Sequence, residues 1–484
     1  MSIITDIRLL KNRRTKILAT LGPASQEPGM IRKLIESGVN VFRLNMSHGT
    51  HEFHRTTYNH IRNIAEELNS QTAVLADLCG PKIRTGKFSG GQITLEKDAE
   101  LTVTTRDVQG KPGLIPSQYR ELANDVVKNN RILLNDGNLE LKVLSVEGTE
   151  IRCKVVHGGI LKNHKGINLP GVKVSAPSLT EKDKEDALFA LELGVDFLAL
   201  SFVRHASDID DLKKIITGSN SQFTRVIAKI EKPEALEDID SILDTADGIM
   251  VARGDLGVEL NPEQVPVAQG QLIEIARQKF KPVIVATQML ESMIEHARPT
   301  RAEVTDISYA VALGTDAVML SAESAAGEFP LESVQMMDRI IRQTEAYLWK
   351  SNAYDKGMTI SQARPVPVWQ AVSNVTNDLA RYMMVRGIVV LSKSGMSAIT
   401  MSAARPNAPV VAISDHKDVC RRLSLLWGII PIYHEKESIK NLPKMVKKIA
   451  VDIKLAEPGD PILLVRGFSS VPEKNTPSVT VLTV

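Results

Sequence analysis

Short apolar runs rich in Val, Ile, Leu and Ala punctuate the first two thirds of the chain, and nearly every one ends in a charged or hydroxyl side chain. They are KILATLG from Lys16, VNVFRLN from Val39, TAVLADL from Thr72, FLALSFV from Phe197, RVIAKIE from Arg225, DGIMVARGD from Asp247, PVIVATQ from Pro282 and AVMLSAE from Ala317. Apolar runs without polar alternation read as strands buried on both faces, which is how parallel strands covered by helices look. Such a set predicts an α/β fold built on a (β/α)8 TIM barrel, whose reactive groups collect where the strands end, at the C-terminal mouth. The endings Arg43, Asn45, Asp77, Lys229, Glu231, Asp255, Thr287 and Glu323 would then face one another.

More than a hundred residues separate the third run from the fourth, far more than one crossover needs. Within them KFSGGQITL, AELTVTT, NRILLNDGNLELKVLSVEG and TEIRCKVVHGG read as short strands between turns. They predict a small all-β lid inserted after strand 3 and hung over the mouth. TEKDKEDALFALELG follows, with Thr180 as N-cap and Gly194 past the end, a helix leading into the fourth strand. The last third alternates helix and strand through GIVVLS, APVVAIS, IIPIYH, PILLVRG and VTVLTV, which predicts a separate open sheet with helices on both faces. The expected division is a discontinuous barrel over 1–81 and 176–350, the lid over 82–175, and a C-terminal α/β domain over 360–484. The segment from Ser351 is the most linker-like.

A chain of 484 residues with 43% hydrophobic content can bury more than one core. Fifty-nine basic against 57 acidic residues, a net charge of +2, is too balanced for a protein that wraps nucleic acid. The basic run from Lys11 to Lys16 reads as a solvated leader. Three cysteines without paired spacing indicate neither a disulfide framework nor a structural zinc site. No membrane span or secretion signal is expected, and cytoplasmic location is.

Lys229 and Glu231 are two apart on a strand and share a face. Glu231 with Asp255 suits Mg²⁺ or Mn²⁺, which take oxygen ligands and few carboxylates; a structural ion-pair set is the alternative reading. Gly254 allows backbone amides to approach an anion closely at a helix start. Arg43, Asn45, Ser47 and His48 fall within six residues, pairing a phosphate-binding fork with neutral oxygens. His48 is equally well a loop residue bonded to backbone. Lys82 and Arg84 follow at the root of the lid. Thr287, Ser321 and Glu323 could relay a proton to carbon with water, or the hydroxyls could simply cap helices.

Longer motifs then carry a resemblance. TLGPAS, FRLNMSHG, DLCGPKIRTG, KGINLPG, LTEKDKED, AKIEKPEAL, IMVARGDLGVE, ATQMLESM with RPTRAEVTD, and DAVMLSAESAAGEFP together resemble the pyruvate kinase family along nearly the whole chain. The resemblance implies phosphoryl transfer from phosphoenolpyruvate to ADP, giving ATP and an enolate that is protonated to pyruvate. It implies Lys229 and Arg43 on the transferring phosphoryl group, Glu231 and Asp255 on the divalent metal, and Gly254 with Asp255 at the substrate carboxylate. Arg84, Lys165, Asn45 and His48 would meet ADP, and Thr287 would deliver the proton with Ser321 and Glu323 behind it. The family also implies a homotetramer and a phosphorylated allosteric effector, here placed at Ser392, Lys393, Ser394, Gly395 and Ser397, where an ordinary helix cap is the alternative. Members that need K⁺ resemble GPEIRTG where this chain has GPKIRTG. Lys82 in the acidic position, with Leu78 after Asp77, predicts that a monovalent-cation site built on Asn45, Ser47 and Asp77 is replaced by an ammonium and that K⁺ is not required. A Schiff-base aldolase using Lys229 and a non-catalytic metabolite sensor are the rival functions. Adjacent carboxylates would keep that amine protonated and disfavour the first.

Overall fold

In the computed structural model, residues 13–219, 221, 223–351, 365–435, 441–469 and 471–484 are described. The linker-like stretch after Ser351, and Lys11 with Asn12 of the basic run, lie outside them. Eight parallel strands close into a barrel: β1 (Lys16–Thr20), β2 (Val39–Asn45), β3 (Ala73–Asp77), then, after the inserted segment, β12 (Phe197–Leu200), β13 (Arg225–Ile230), β14 (Gly248–Ala252), β15 (Val283–Ala286) and β16 (Ala317–Leu320), with β16 pairing back onto β1. The runs are apolar throughout because each strand is buried twice. Leu18 of β1 points into the barrel with Val41, Leu75, Ile227 and Met250, whereas Ile17 and Ala19 pack outward under the helices.

The inserted segment forms β4 (Gln92–Leu95), β5 (Glu100–Thr104), β6 (Leu114–Pro116), β7 (Arg131–Leu134), β8 (Leu139–Glu147), β9 (Glu150–His157), β10 (Gly159–Lys162) and β11 (Ile167–Asn168), in one six-stranded and one two-stranded sheet around its own core. It is not wholly β, since Leu122–Asp125 makes one helical turn. Behind it the helix Glu181–Leu193 is held at its start by a capping box between Thr180 and Asp183, and ends on Gly194 at φ +80°.

The C-terminal sheet comprises β17 (Ile388–Leu391), β18 (Val410–Ser414), β19 (Ile429–Tyr433), β20 (Pro461–Arg466) and β21 (Ser478–Thr483), in the order β19-β18-β17-β20-β21 with only β21 antiparallel. Alternate residues feed two cores, Val390 and Ala412 on one face and Val389 and Val411 on the other.

This sheet is seated against the bottom of the barrel. Leu425, fully buried, joins the barrel's interior cluster as a stopper between the strand starts. Beside it Asp316 pairs with Arg405 at 3.0 Å and accepts the amides of Val283 at 3.0 Å and Trp427 at 3.1 Å. The solvated-leader reading is corrected here. Glu345, also buried, accepts the amides of Arg14 at 2.8 Å and Thr15 at 2.6 Å, and Lys16 Nζ donates to the Ile429 carbonyl at 2.6 Å. Arg14 and Lys16 are 4% and 5% exposed because their partners arrive from the far end of the chain.

Burial, and then the charge of Arg13, lower the Lys16 pKa to about 7, against the pull of Glu345 and Asp316. An unfolded lysine keeps its proton to about pH 10. Between those values the unfolded chain binds more protons, so this residue makes stability rise with pH across the window and lowers it at and below neutrality. Melting temperatures of the wild type minus those of Lys16→Met are expected to climb from pH 7 to pH 9.5; a flat difference would show that the amine is not desolvated.

Candidate active site

Strand register brings the polar endings together. Asp77 ends β3 opposite Asn45 of β2 on one side and Ala199 of β12 on the other. Its carboxylate, 1% exposed, takes Arg43 Nε at 2.7 Å and stands 3.3 Å from Lys229 Nζ. Lys229 Nζ also approaches Glu231 Oε1 at 2.9 Å and donates to Ser201 Oγ at 2.6 Å. Three oxygens thus converge on one compact ammonium, which has three donors to give them. Burial works against the charge, but Asp77 and Glu231 outweigh it and hold the Lys229 pKa above its ordinary value. For Asp77 burial likewise opposes ionisation, and Lys229 with Arg43 overcomes it, keeping the carboxyl below its usual range.

Glu231 is different. Burial raises its pKa, the neighbouring charge of Asp255 adds to that, and Lys229 offsets them only in part. Asp77, Glu231 and Asp255 set three carboxylates against the two cations Lys229 and Arg43, an arrangement short of positive charge. A hard dication between Glu231 and Asp255 would supply it. Among the described residues no group of three or more His, Cys, Asp or Glu could hold a metal ion. Glu231 and Asp255 could offer a hard cation two carboxylates, with substrate and water completing its coordination.

Ser201 and Phe202 are site residues that the sequence reading missed. Phe202 N donates to Glu231 Oε2 at 2.7 Å, and Ser201 Oγ donates to the Leu78 carbonyl at 2.7 Å. A side chain at Gly80, φ +68°, would meet the Phe202 ring at 2.7 Å and Ser201 Cβ at 2.9 Å. The glycine of DLCGPK is what lets the lid root pass this close. FLALSFV ends in an ordinary serine and phenylalanine, so only the residue after a barrel strand could have signalled them.

The chain leaves for the lid at Lys82 to Thr85 and returns at His164 to Asn168. Arg84 Nη1 donates to the His164 carbonyl at 3.2 Å, the Thr85 amide donates to the Lys165 carbonyl at 2.8 Å, and the Lys165 amide donates to Thr85 Oγ1 at 3.0 Å. Arg84 and Lys165 therefore sit side by side on a cavity of about 240 Å³, which Lys82, Phe202, Lys232 and Asp255 also line. His48 is exposed; partial burial, then Lys82, Arg84 and Arg43, lower its pKa. The Asn45 side chain accepts the Ser47 amide at 3.2 Å. Lys82 makes no ion pair with Asp77, whose partners among the described residues are Arg43 and Lys229, and Leu78 is packed in the core beneath the helices. Asp77 is thus taken up by Arg43 and Lys229, and the Lys82 charge acts on His48, next to Ser47.

Thr287 Oγ1 accepts the Gly254 amide at 2.7 Å and donates to the Ala286 carbonyl at 2.6 Å. The expected chain through Ser321 and Glu323 is not formed. Glu323, fully buried, gives its oxygens to the amides of Leu290 at 3.1 Å and Ser321 at 2.6 Å. Both are committed to the backbone, so Glu323 fastens the turn after β15 to the turn after β16.

The model of the family described as pyruvate kinase, barrel domain, matches residues 12–334, and that of the pyruvate kinase alpha/beta domain matches residues 370–482. The chain belongs to the pyruvate kinase family. It is 44% identical to pyruvate kinase 2 of Synechocystis over 87% of this chain and 70% of that one. It is 42% identical to a pyruvate kinase of Agrobacterium vitis over 94% and 95%. A solved pyruvate kinase from Cryptosporidium parvum superposes with a TM-score of 0.87 at 34% identity, covering 97% and 96% of the two chains. The protein is accordingly a phosphotransferase of the pyruvate kinase type. Lys229, Glu231 and Asp255 converge at the C-terminal mouth, the face on which TIM-barrel enzymes carry their active sites.

Proposed function

We propose that this mouth transfers the phosphoryl group of phosphoenolpyruvate to ADP and then protonates the enolate to pyruvate. The observation that carries the reading is the buried ammonium of Lys229 between Asp77 and Glu231. Transferring phosphoryl groups need positioning and neutralisation more than covalent help, and Lys229 and Arg43 supply both from strand ends. A divalent cation on Glu231 and Asp255 would neutralise phosphoryl and enolate oxygens. Arg84 and Lys165 hold the nucleotide phosphates, with His48 beside them. The amides at Gly254 and Asp255 take the substrate carboxylate. That places Thr287, bonded to Gly254, next to the carbon that accepts the proton. The lid excludes water that would otherwise take the phosphoryl group. A coupled assay for pyruvate with phosphoenolpyruvate, ADP and Mg²⁺ tests the reading; no turnover defeats it.

Turnover is expected to proceed without K⁺. Lys82, Arg84 and Arg43 crowd positive charge around His48, next to Ser47, and Coulomb repulsion disfavours a monovalent cation beside Asn45 and Ser47. Rates in Na⁺ and K⁺ buffers should agree within about twofold, and Lys82→Glu should make the enzyme depend on K⁺ by about tenfold or more. Strong K⁺ activation of the wild type would contradict this.

The effector loop lies at the carboxyl end of β17, where the strand order turns back toward β20, the place at which open α/β sheets bind ligands. Gly395 at φ +97° opens the helix Met396–Ala403, and the buried Ser392 hydroxyl has no partner among the described residues. With Lys393, Ser394 and Ser397 this suits a phosphate group, so a panel of phosphorylated metabolites belongs in the assay. Exposed apolar residues on outer helices, Val267 and Tyr309 on the barrel and Val375 and Tyr382 on the C-terminal unit, support a homotetramer with contacts through both. No helix among the described residues is long and apolar enough to cross a membrane, and the three free cysteines suit a reducing cytoplasm.

A further inference from the structure

The turn after β15 holds two consecutive non-glycine residues in the left-handed region, Thr287 at φ +70° and Gln288 at φ +55°. A β-branched residue avoids that region unless its surroundings impose it, and such strain collects at functional sites. Here the surroundings can be named. The Arg253 side chain, 9% exposed, donates through Nη2 to the carbonyls of Thr287 at 2.7 Å and Gln288 at 3.4 Å. The same nitrogen lies 3.1 Å from Met289 Sδ. Nη1 donates to Asp306 Oδ2 at 2.5 Å, on the helix Arg301–Ala312. Its Nε is buried without a partner among the described residues. The guanidinium has left one of its own donors unsatisfied while bracing the strained turn against a distant helix.

We propose that Arg253 is a positioning residue for the carbon-protonation half-reaction, clamping the turn so that the Thr287 hydroxyl stays bonded to Gly254 and faces the mouth. The inference rests on the reading above in which Thr287 delivers the proton. In that step the Thr287 hydroxyl, still accepting from Gly254, turns its proton from the Ala286 carbonyl to the substrate. The enolate oxygen lone pair closes the carbonyl and the carbon–carbon double bond takes that proton, forming C3–H as the Thr287 O–H bond breaks. The resulting alkoxide recovers a proton from water, leaving hydroxide. Arg253 neither gives nor takes a proton. It fixes where the donor stands, and displacements of about 1 Å cost such steps up to about a hundredfold.

The test is deuterium incorporation at C3 of pyruvate in D₂O with Mg²⁺ and ATP present, followed by proton NMR beside kcat and KM for phosphoenolpyruvate. Thr287→Val, Arg253→Met and the double variant form a cycle. Arg253→Met should slow exchange by about tenfold or more, with KM for phosphoenolpyruvate moving less than about twofold, and should cost nothing further in the Thr287→Val background. Arg253→Lys, which keeps a charge but loses the planar fork, should recover only part of the rate. Unchanged exchange in Arg253→Met, or an equal loss in both backgrounds, overturns the clamp. Should Arg253→Met not fold, Asp306→Asn decides: slower exchange that vanishes in the Thr287→Val background supports the proposal, and unchanged exchange overturns it. Normal exchange in Thr287→Val would instead remove the proton-delivery reading and the clamp with it, a result distinct from loss of the clamp alone.

Discussion

Lys229→Met should lower kcat by about 10³–10⁵-fold, the range in which removing a cation from a transferring phosphoryl group usually falls. The loss has two sources. One is the missing neutralisation in the transition state. The other is ground-state disorder, because Asp77 and Glu231, each 1% exposed, would lose the ammonium they share, leaving Arg43 paired with Asp77. Breaking a buried pair commonly costs about 3–5 kcal/mol, and here protonation of Glu231, whose pKa burial already raises, would relieve part of it. Lys229→Arg should not rescue activity. A planar fork cannot reach Ser201, Asp77 and Glu231 at 2.6, 3.3 and 2.9 Å from one point. Steady-state rates at saturating substrate, with thermal melts of each variant, separate the two contributions. A Met variant retaining a tenth of wild-type turnover would contradict the assignment.

Leu425→Ala is expected to cost about 2–5 kcal/mol of stability, as large-to-small changes in tight cores do. The effect should be felt on both sides of the seam. Leu425 is carried by the C-terminal unit yet completes the barrel's interior cluster, so its removal opens a cavity beneath Leu18, Phe197 and Met319 and weakens the seat that Asp316 and Arg405 share. Leu425→Met, which keeps the volume, should lose less than about 1.5 kcal/mol. Differential scanning calorimetry checks this. Melting of the variant unchanged from wild type would show that the stopper contributes nothing to docking.

The barrel was legible because its strands are buried twice, which erases polar alternation and leaves a run that helices rarely imitate at that length. Its polar endings were legible for the same reason: in Arg43, Asp77 and Lys229 a charge interrupts an apolar strand, and burial of such groups needs partners. What escaped were groups whose role depends on distant sequence. Lys16 and Arg14 look like a solvated basic run until residues of the last third cover them. Ser201 carries no signal beyond its place after a strand. Glu323 reads as a proton carrier because sequence shows a carboxylate but not the two amides it accepts. GPKIRTG shows an ammonium where K⁺-dependent members carry a carboxylate, but not that the turn at Gly80 brings Lys82 to the cavity lined by Arg84 and Lys165 while Asp77 pairs with Arg43 and Lys229.

Phosphorus NMR of the purified protein with phosphoenolpyruvate and ADP measures the central transfer directly. With Mg²⁺ present the phosphoenolpyruvate resonance should fall as the γ-phosphate of ATP appears, and a chelator should stop both. No ATP in the presence of Mg²⁺, or equal conversion with the metal chelated, would contradict a mechanism that joins Lys229 to a dication held by Glu231 and Asp255.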